Sequence, residues 1–271
     1  MVTFRDCSPY TEPMFGFLIK KAFFDLWDNF LPAILLNLGF IAVLAIPILL
    51  PAALSGFGAV LTLAAFALGM LAAIVYIGGV AGVANEIVQY NSLEWRLFFT
   101  SLRTYLPVSL VLGALVIFHV ALLMVAIPVY SAMGNMPGLF ALAILFWITL
   151  IWWLSIQYVM PVRSRLAEKP MQVFKKSFIL ALDNTVFTLF LALGGIVITL
   201  LSFFTAFLIP GIAGLVIWYQ AALKLRLYKY DYLEENPGDR GRKIPWDALL
   251  YEERERVGKR TLRGMIFPWK E

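Results

Sequence analysis

Charge is scarce in this sequence. Only 14% of its 271 residues are Asp, Glu, Lys or Arg, against about a quarter in a soluble globular domain. The chain lacks the polar surface to cover itself in water, which argues against a soluble enzyme, a nucleic-acid binder and a disordered protein together. A single cysteine, Cys7, excludes an internal disulfide framework and a cysteine-based zinc site. There is one histidine, no His-Glu-x-x-His segment, no phosphate-cradling glycine loop and no pair of aspartates inside an apolar run. Nothing points to a metal or another cofactor, no catalytic residue stands out, and the expectation is a non-enzymatic protein. What is abundant is apolar: 61% of the residues are hydrophobic and the mean hydropathy is +0.83.

The absence of charge is concentrated in three runs, 29–85, 104–162 and 184–223. A membrane-spanning helix needs about 20 mostly apolar residues, so each run is read as two spans and a turn. The third is just long enough if its last helix continues past Lys224 and Arg226, whose stems lie in lipid while their charges reach the headgroups. Pro47, Pro51, Ser55, Gly56 and Gly58 break the first run. Pro128, Gly134, Asn135, Pro137 and Gly138 break the second, and Pro210-Gly211 the third. The expected fold is an all-α integral membrane protein. Its six transmembrane helices, 30–51, 59–84, 106–129, 139–161, 186–208 and 210–228, form three hairpins, because backbone in hydrocarbon must satisfy its own hydrogen bonds. Segment 1–28 precedes this domain, 29–228 forms it, and 229–271 is a tail.

The basic residues fix the orientation. They fall in the N-terminal segment, in the 85–105 and 162–183 connections, and from Lys224 onward, while the three opposite turns hold none. The positive-inside rule then places both termini in the cytoplasm.

A repeat is visible. Lys20-Lys21-Ala22-Phe23 leads to Asp28-Asn29 and a span, and Lys175-Lys176-Ser177-Phe178 leads to Asp183-Asn184 and a span at the same spacing. In the middle connection Arg96 and Phe98 align with Lys21 and Phe23. Each unit reads as an amphipathic lead-in helix followed by a hairpin. Segments 14–28 and 92–105 carry apolar residues on one face and charges on the other, the pattern of helices lying in the interface. Lys20, Lys21, Arg96, Arg103, Lys175 and Lys176 are therefore candidates for contact with anionic lipid or with a cytoplasmic partner.

Inside the spans polar side chains are few. His119 falls near the middle of the third, and an ionisable residue at such depth is a functional candidate. No acidic or basic residue lies in the neighbouring spans to pair with it, so a bond to a backbone carbonyl fits equally well. Asn37, Asn85, Glu86, Gln157, Tyr158 and Gln220 lie toward the cytoplasmic halves of spans one, two, four and six. Converging, they would form a polar pocket for a small solute or lipid headgroup; apart, they are interhelical hydrogen bonds. Ala65, Gly69, Ala73, Gly78 and Gly82 on the second span allow close helix packing. Ala53-Leu54-Ser55-Gly56 is similar to the serine loop of intramembrane serine proteases. However, Ser55 is expected at the outer turn and His119 at midplane, whereas a nucleophile and its base must approach within about 3 Å.

The tail contains a turn at Asn236-Pro237-Gly238, a helix expected over 246–263, and an apolar end, Met265-Ile266-Phe267-Pro268-Trp269, expected to fold back onto the membrane or the cytoplasmic helices.

The layout of 14–228 resembles the YesL-like family of bacterial membrane proteins. The resemblance is carried by the amphipathic start, by Trp95-Arg96-Leu97-Phe98-Phe99-Thr100-Ser101-Leu102-Arg103, and by Lys175-Lys176-Ser177-Phe178 with Leu180-Ala181-Leu182. It implies an accessory role beside a carbohydrate-uptake system, with a permease or its ATPase as partner, and no catalytic residues to carry over. The tail beyond Leu233 departs from that pattern. The alternative reading is a small transporter that uses the polar pocket itself.

Overall fold

A computed structural model describes residues 14–239, 244–258 and 260. Among these residues there is no strand. The helices are α1 (Met14–Asp28), α2 (Phe30–Leu44), α3 (Ile46–Leu54), α4 (Ala59–Val88), α5 (Trp95–Ala132), α6 (Met136–Ile156), α7 (Val159–Arg165), α8 (Pro170–Asp183), α9 (Thr185–Phe204), α10 (Gly211–Glu235), α11 (Trp246–Leu249) and α12 (Tyr251–Val257). Cys7 and Met265–Trp269 lie outside the described residues.

Five helical segments are long and apolar enough to cross a bilayer: Phe30–Phe57, Ala59–Val88, Trp95–Ala132, Met136–Arg165 and Thr185–Phe204. The sixth expected span, 210–228, falls in α10 and does not join them. The charge-free part of α10, 211–223, is about 20 Å long at 1.5 Å per residue, short of the roughly 30 Å of hydrocarbon. Yet the first half of α10 is enclosed by protein. Gln220, Ala221, Ala222, Leu223 and Leu225 are fully buried, and α1, α2, α4, α7 and α9 pack around it. A helix sheathed by protein needs no lipid-compatible outer face, which is why its composition is less apolar than its neighbours'.

The helix breaks have local causes. Pro47 follows the short interruption at Ala45 between α2 and α3. Pro161 lacks an N–H and crowds the carbonyl of Gln157, four residues earlier, and the chain breaks between α6 and α7 at that point. Asn29 and Asn184 separate α1 from α2 and α8 from α9 with similar backbone angles (φ −114° and −126°, ψ 35° and 47°). Each donates its side-chain amide to the carbonyl four residues back, Asp25 and Leu180. The first and third repeat units thus share a joint. In the middle unit the aligned position is Thr104, whose hydroxyl bonds Thr100 O without interrupting the helix. α5 therefore runs unbroken from Trp95, and the expected lead-in 92–105 is its first turns rather than a separate helix.

Small residues bring α4 close to its neighbours, as their spacing predicts. A Cβ on Gly82 would overlap Ser101, one on Gly78 would overlap Ser109, and one on Gly69 would stand 2.6 Å from Pro47 backbone atoms. The connection from α9 to α10 spans six residues, 205–210. Ala206 and Phe207 have left-handed backbones, and Gly211 follows at φ 58°. Phe203 and Phe204 at the end of α9 and Leu208 in the connection are exposed, beside the exposed Thr205.

Candidate functional site

The residues expected to form one polar pocket are distributed over five places. Asn37 on α2 serves the α9–α10 connection. Its amide donates to Leu208 O (2.8 Å) and Pro210 O (2.9 Å), and its Oδ1 accepts from Ala213 N–H (2.8 Å). Ser202 Oγ accepts from Gly211 N–H alongside it (3.0 Å). A turn among apolar surfaces leaves backbone groups that water cannot reach, and these two side chains supply the partners.

Gln157 fills the same need at the α6–α7 break, donating to Leu154 O (2.8 Å) and to Thr188 O (3.2 Å), while Tyr158 pairs with the Thr188 hydroxyl (2.9 Å). Gln220, fully buried on α10, donates to Ala81 O (3.2 Å) and to Ser164 Oγ (2.7 Å), which also meets Tyr105 Oη (2.6 Å). Asn85 donates to Glu86, and the other Glu86 oxygen accepts from Asn91. His119 stands apart from all of these, between α5 and α6, with its ring 6.0 Å from that of Trp152. A cavity of about 130 Å³ does open beside α2 and α4, but Pro32, Leu36, Val83, Leu93, Trp95 and Phe98 line it, with Glu94 as its only charge.

The ionised groups converge instead, at a place the sequence reading did not identify. Lys21 was expected on the headgroup side of its amphipathic helix. It is fully buried, with Asp25 one turn away at 3.0 Å. The correction has a simple cause: α10 and α12 pack over that side of α1, leaving Ile19 and Trp27 outward. The tail then delivers Glu253, 4% exposed, into this pair. Its Oε2 lies 3.3 Å from Lys21 Nζ and accepts from Tyr90 Oη (2.9 Å); its Oε1 meets Lys224 Nζ and accepts from Tyr228 Oη (3.0 Å). Lys21 also donates to Tyr90 Oη (2.7 Å), and both lysines donate to Val88 O, the free carbonyl at the end of α4. Two ammonium groups and two carboxylates thus balance in charge, with their remaining donors and acceptors engaged by two tyrosines and one carbonyl.

Burial pushes the Asp25 carboxyl up to about 6, with Lys21 pulling against it and Glu253 adding to the rise. Burial acts on Glu253 in the same direction, but Lys21, Lys224 and the Tyr90 hydroxyl outweigh it and hold that carboxyl below its ordinary value. Burial, with Asp25 and Glu253 beside it, raises the Tyr90 phenol.

Around this centre the tail is fastened by further contacts. Leu250 and Val257 are buried, Arg254 pairs with Asp247 (2.8 Å), and Lys20 donates to Gly258 O (3.3 Å). Arg260 bonds both oxygens of Asp28. Residues 246–258 therefore pack onto α1 and α10, as two short helices in place of the one expected over 246–263. Arg96, Arg103 and Lys175 remain exposed, whereas Lys176 is tied to Leu166 O. The Lys21–Asp25 spacing of four was a visible clue to a helix pair. Nothing in the sequence announced Glu253 among the nine acidic residues of the tail.

Among the described residues no group of three His, Cys, Asp or Glu side chains is placed to hold a metal ion. No protein-family model, curated protein or solved structure matches the chain.

Proposed function

We propose that this chain is a non-enzymatic, multi-pass protein of a bacterial inner membrane. In this reading its helices enter the bilayer as three hairpins, both termini face the cytoplasm, and it acts as an accessory to a solute-uptake system of the kind the YesL-like resemblance implies, carbohydrate uptake in the first instance. One observation carries it. Asn37, Gln157 and Gln220, the polar side chains available for a solute pathway, donate to backbone carbonyls of neighbouring segments. Polar groups engaged in this way build a scaffold rather than a passage. The exposed Arg96, Arg103 and Lys175 offer a cationic cytoplasmic face to a permease or its ATPase.

The test is copurification in mild detergent followed by mass spectrometry, in parallel with uptake assays on proteoliposomes. An accessory protein brings down a permease or its ATPase and moves no solute alone. Sugar uptake by the purified protein would overturn the reading in favour of a transporter.

A further inference from the structure

Among the described residues, three of the buried polar atoms without a hydrogen-bond partner lie on the facing helices α5 and α6. His119 Nε2, Thr149 Oγ1 and Trp152 Nε1 are each buried without a hydrogen-bond partner. His119 is 8% exposed, and its ring centroid lies 6.0 Å from that of Trp152, the planes inclined at 37°. Thr149 and Trp152 are three residues apart on α6 and so share a face.

Most helical hydroxyls among the described residues differ, although Ser109 and Ser177 also lack a partner. Thr100, Thr104, Ser155, Ser164, Thr199 and Ser202 each turn their hydroxyl onto the carbonyl four residues earlier. This is the usual way for a hydroxyl to satisfy itself within a helix. Thr149 does not. The buried indole of Trp218 donates to Leu191 O, whereas that of Trp152 has no acceptor. A deep indole N–H and a deep imidazole nitrogen are costly to leave unpaired in apolar surroundings.

We infer that His119, Thr149 and Trp152 form a binding site for one neutral hydroxyl group. The complementarity is specific. An indole N–H only donates, and an imidazole Nε2 accepts when the proton is on Nδ1. An oxygen that accepts from Trp152 and donates to His119 is a hydroxyl, and the Thr149 hydroxyl completes its coordination in either sense. A carboxylate or phosphate would find no cation here, and an ammonium would find only one acceptor besides Thr149. The hydroxyl comes either from water or from an alcohol dissolved in the bilayer. Lateral access for the alcohol is plausible on exposure, since Phe118, Leu122 and Trp153 beside the site face outward.

Because His119 is the chain's only histidine, ¹⁵N-histidine labelling of the full-length protein in lipid nanodiscs reports on this site alone. The expected spectrum has an unprotonated Nε2 moved upfield by accepting a hydrogen bond. Trp152→Phe and Thr149→Val should each move it back toward a free imine nitrogen. Cross-relaxation from water protons to the site, lost in D₂O, identifies water as the occupant. A further displacement of the resonance on titrating 1-octanol, blocked by Trp152→Phe, identifies an alcohol. A proton on Nε2 itself, or a resonance indifferent to both substitutions and both additions, overturns the assignment. Thr149→Val preserves shape, so it keeps the test decisive if the tryptophan variant fails to fold.

Discussion

Replacing Glu253 by Gln keeps the size of the side chain and removes its charge. Lys21 then retains Asp25 at 3.0 Å. Lys224 loses its only carboxylate partner among the described ion pairs and keeps neutral ones, the carbonyl of Val88 and the Tyr90 ring among them. Removing one partner of a buried ion pair costs about 3–5 kcal/mol, because the other charge is left uncompensated. With one of the two lysines still paired, the low end applies. About 3 kcal/mol corresponds to roughly two powers of ten in an equilibrium constant. The tail is held to α1 and α10 through this carboxylate, so the loss falls on its docking. Hydrogen exchange of the α12 amides, measured on the full chain in nanodiscs, should accelerate about a hundredfold at fixed pH, with amides of α4 unchanged. Adding Lys224→Met to the variant removes the stranded charge and should restore most of the protection, since replacing a whole buried pair by apolar groups is often neutral. An acceleration of only two- to threefold would mean that the carboxylate behaves like an exposed ion pair worth under about 1 kcal/mol, and the buried network would have no part in holding the tail.

Docking should also depend on pH with two limbs of opposite sign. Asp25 is raised from 3.8 to about 6 in the folded state, so its ionised form destabilises docking above about pH 6, and that penalty disappears as pH falls toward 4. Glu253 is lowered, so its contribution is complete above the ordinary carboxylate range and is lost as pH falls below it. Exchange protection of α12, corrected for intrinsic rates, should peak near the ordinary carboxylate range, about pH 4, and fall from there to about pH 6; Asp25→Asn should flatten that falling limb, and a monotonic profile in the unsubstituted chain contradicts the assignment. Asn37→Ala strands two carbonyls and an N–H at the α9–α10 connection and should lower stability in mixed micelles by at least about 2 kcal/mol, with equal denaturation midpoints counting against it. Gly82→Ala drives a methyl group into Ser101 and should cost about 1–3 kcal/mol, while Gly56→Ala, which meets nothing within 4 Å, should be silent; the reverse order would refute the α4–α5 packing. Single cysteines at Ser92 and Lys175 in a Cys7→Ser background should react with a membrane-impermeant maleimide from one side and cysteines at Gly56 and Asn135 from the other, and a shared side for Lys175 and Asn135 would invert the topology.

The membrane-spanning helices were legible because their cause is local: long charge-free runs force helix, and Pro, Gly and Asn mark where each run turns. The joints at Asn29 and Asn184 were equally legible, since a residue bonding its own preceding turn leaves a pattern within a few positions. The polar pocket was misjudged for a physical reason. Asn37, Gln157 and Gln220 bond backbone carbonyls, which every residue possesses, so their partners have no signature in the sequence. The ion network was hidden by distance along the chain. Lys21, Lys224 and Glu253 meet only because α10 is central and the tail returns, and neither follows from the composition of any one segment.

The unequal reach of the helices bears on the lipid around them. α4 and the charge-free part of α5, 104–132, are about 45 and 44 Å long, while α9, which faces outward beside α10, is about 30 Å. Phe203 and Phe204 at the end of α9 and Leu208 in the connection that follows are exposed and apolar, so they gain nothing by emerging into water. A bilayer matched to the long helices is too thick beside the short hairpin and must dimple there, at a cost of fractions of a kcal/mol per Å. In the bilayer of the proposed reading the protein is a wedge, with a thin flank where acyl chains are compressed, and it should favour lipids with shorter tails on that side.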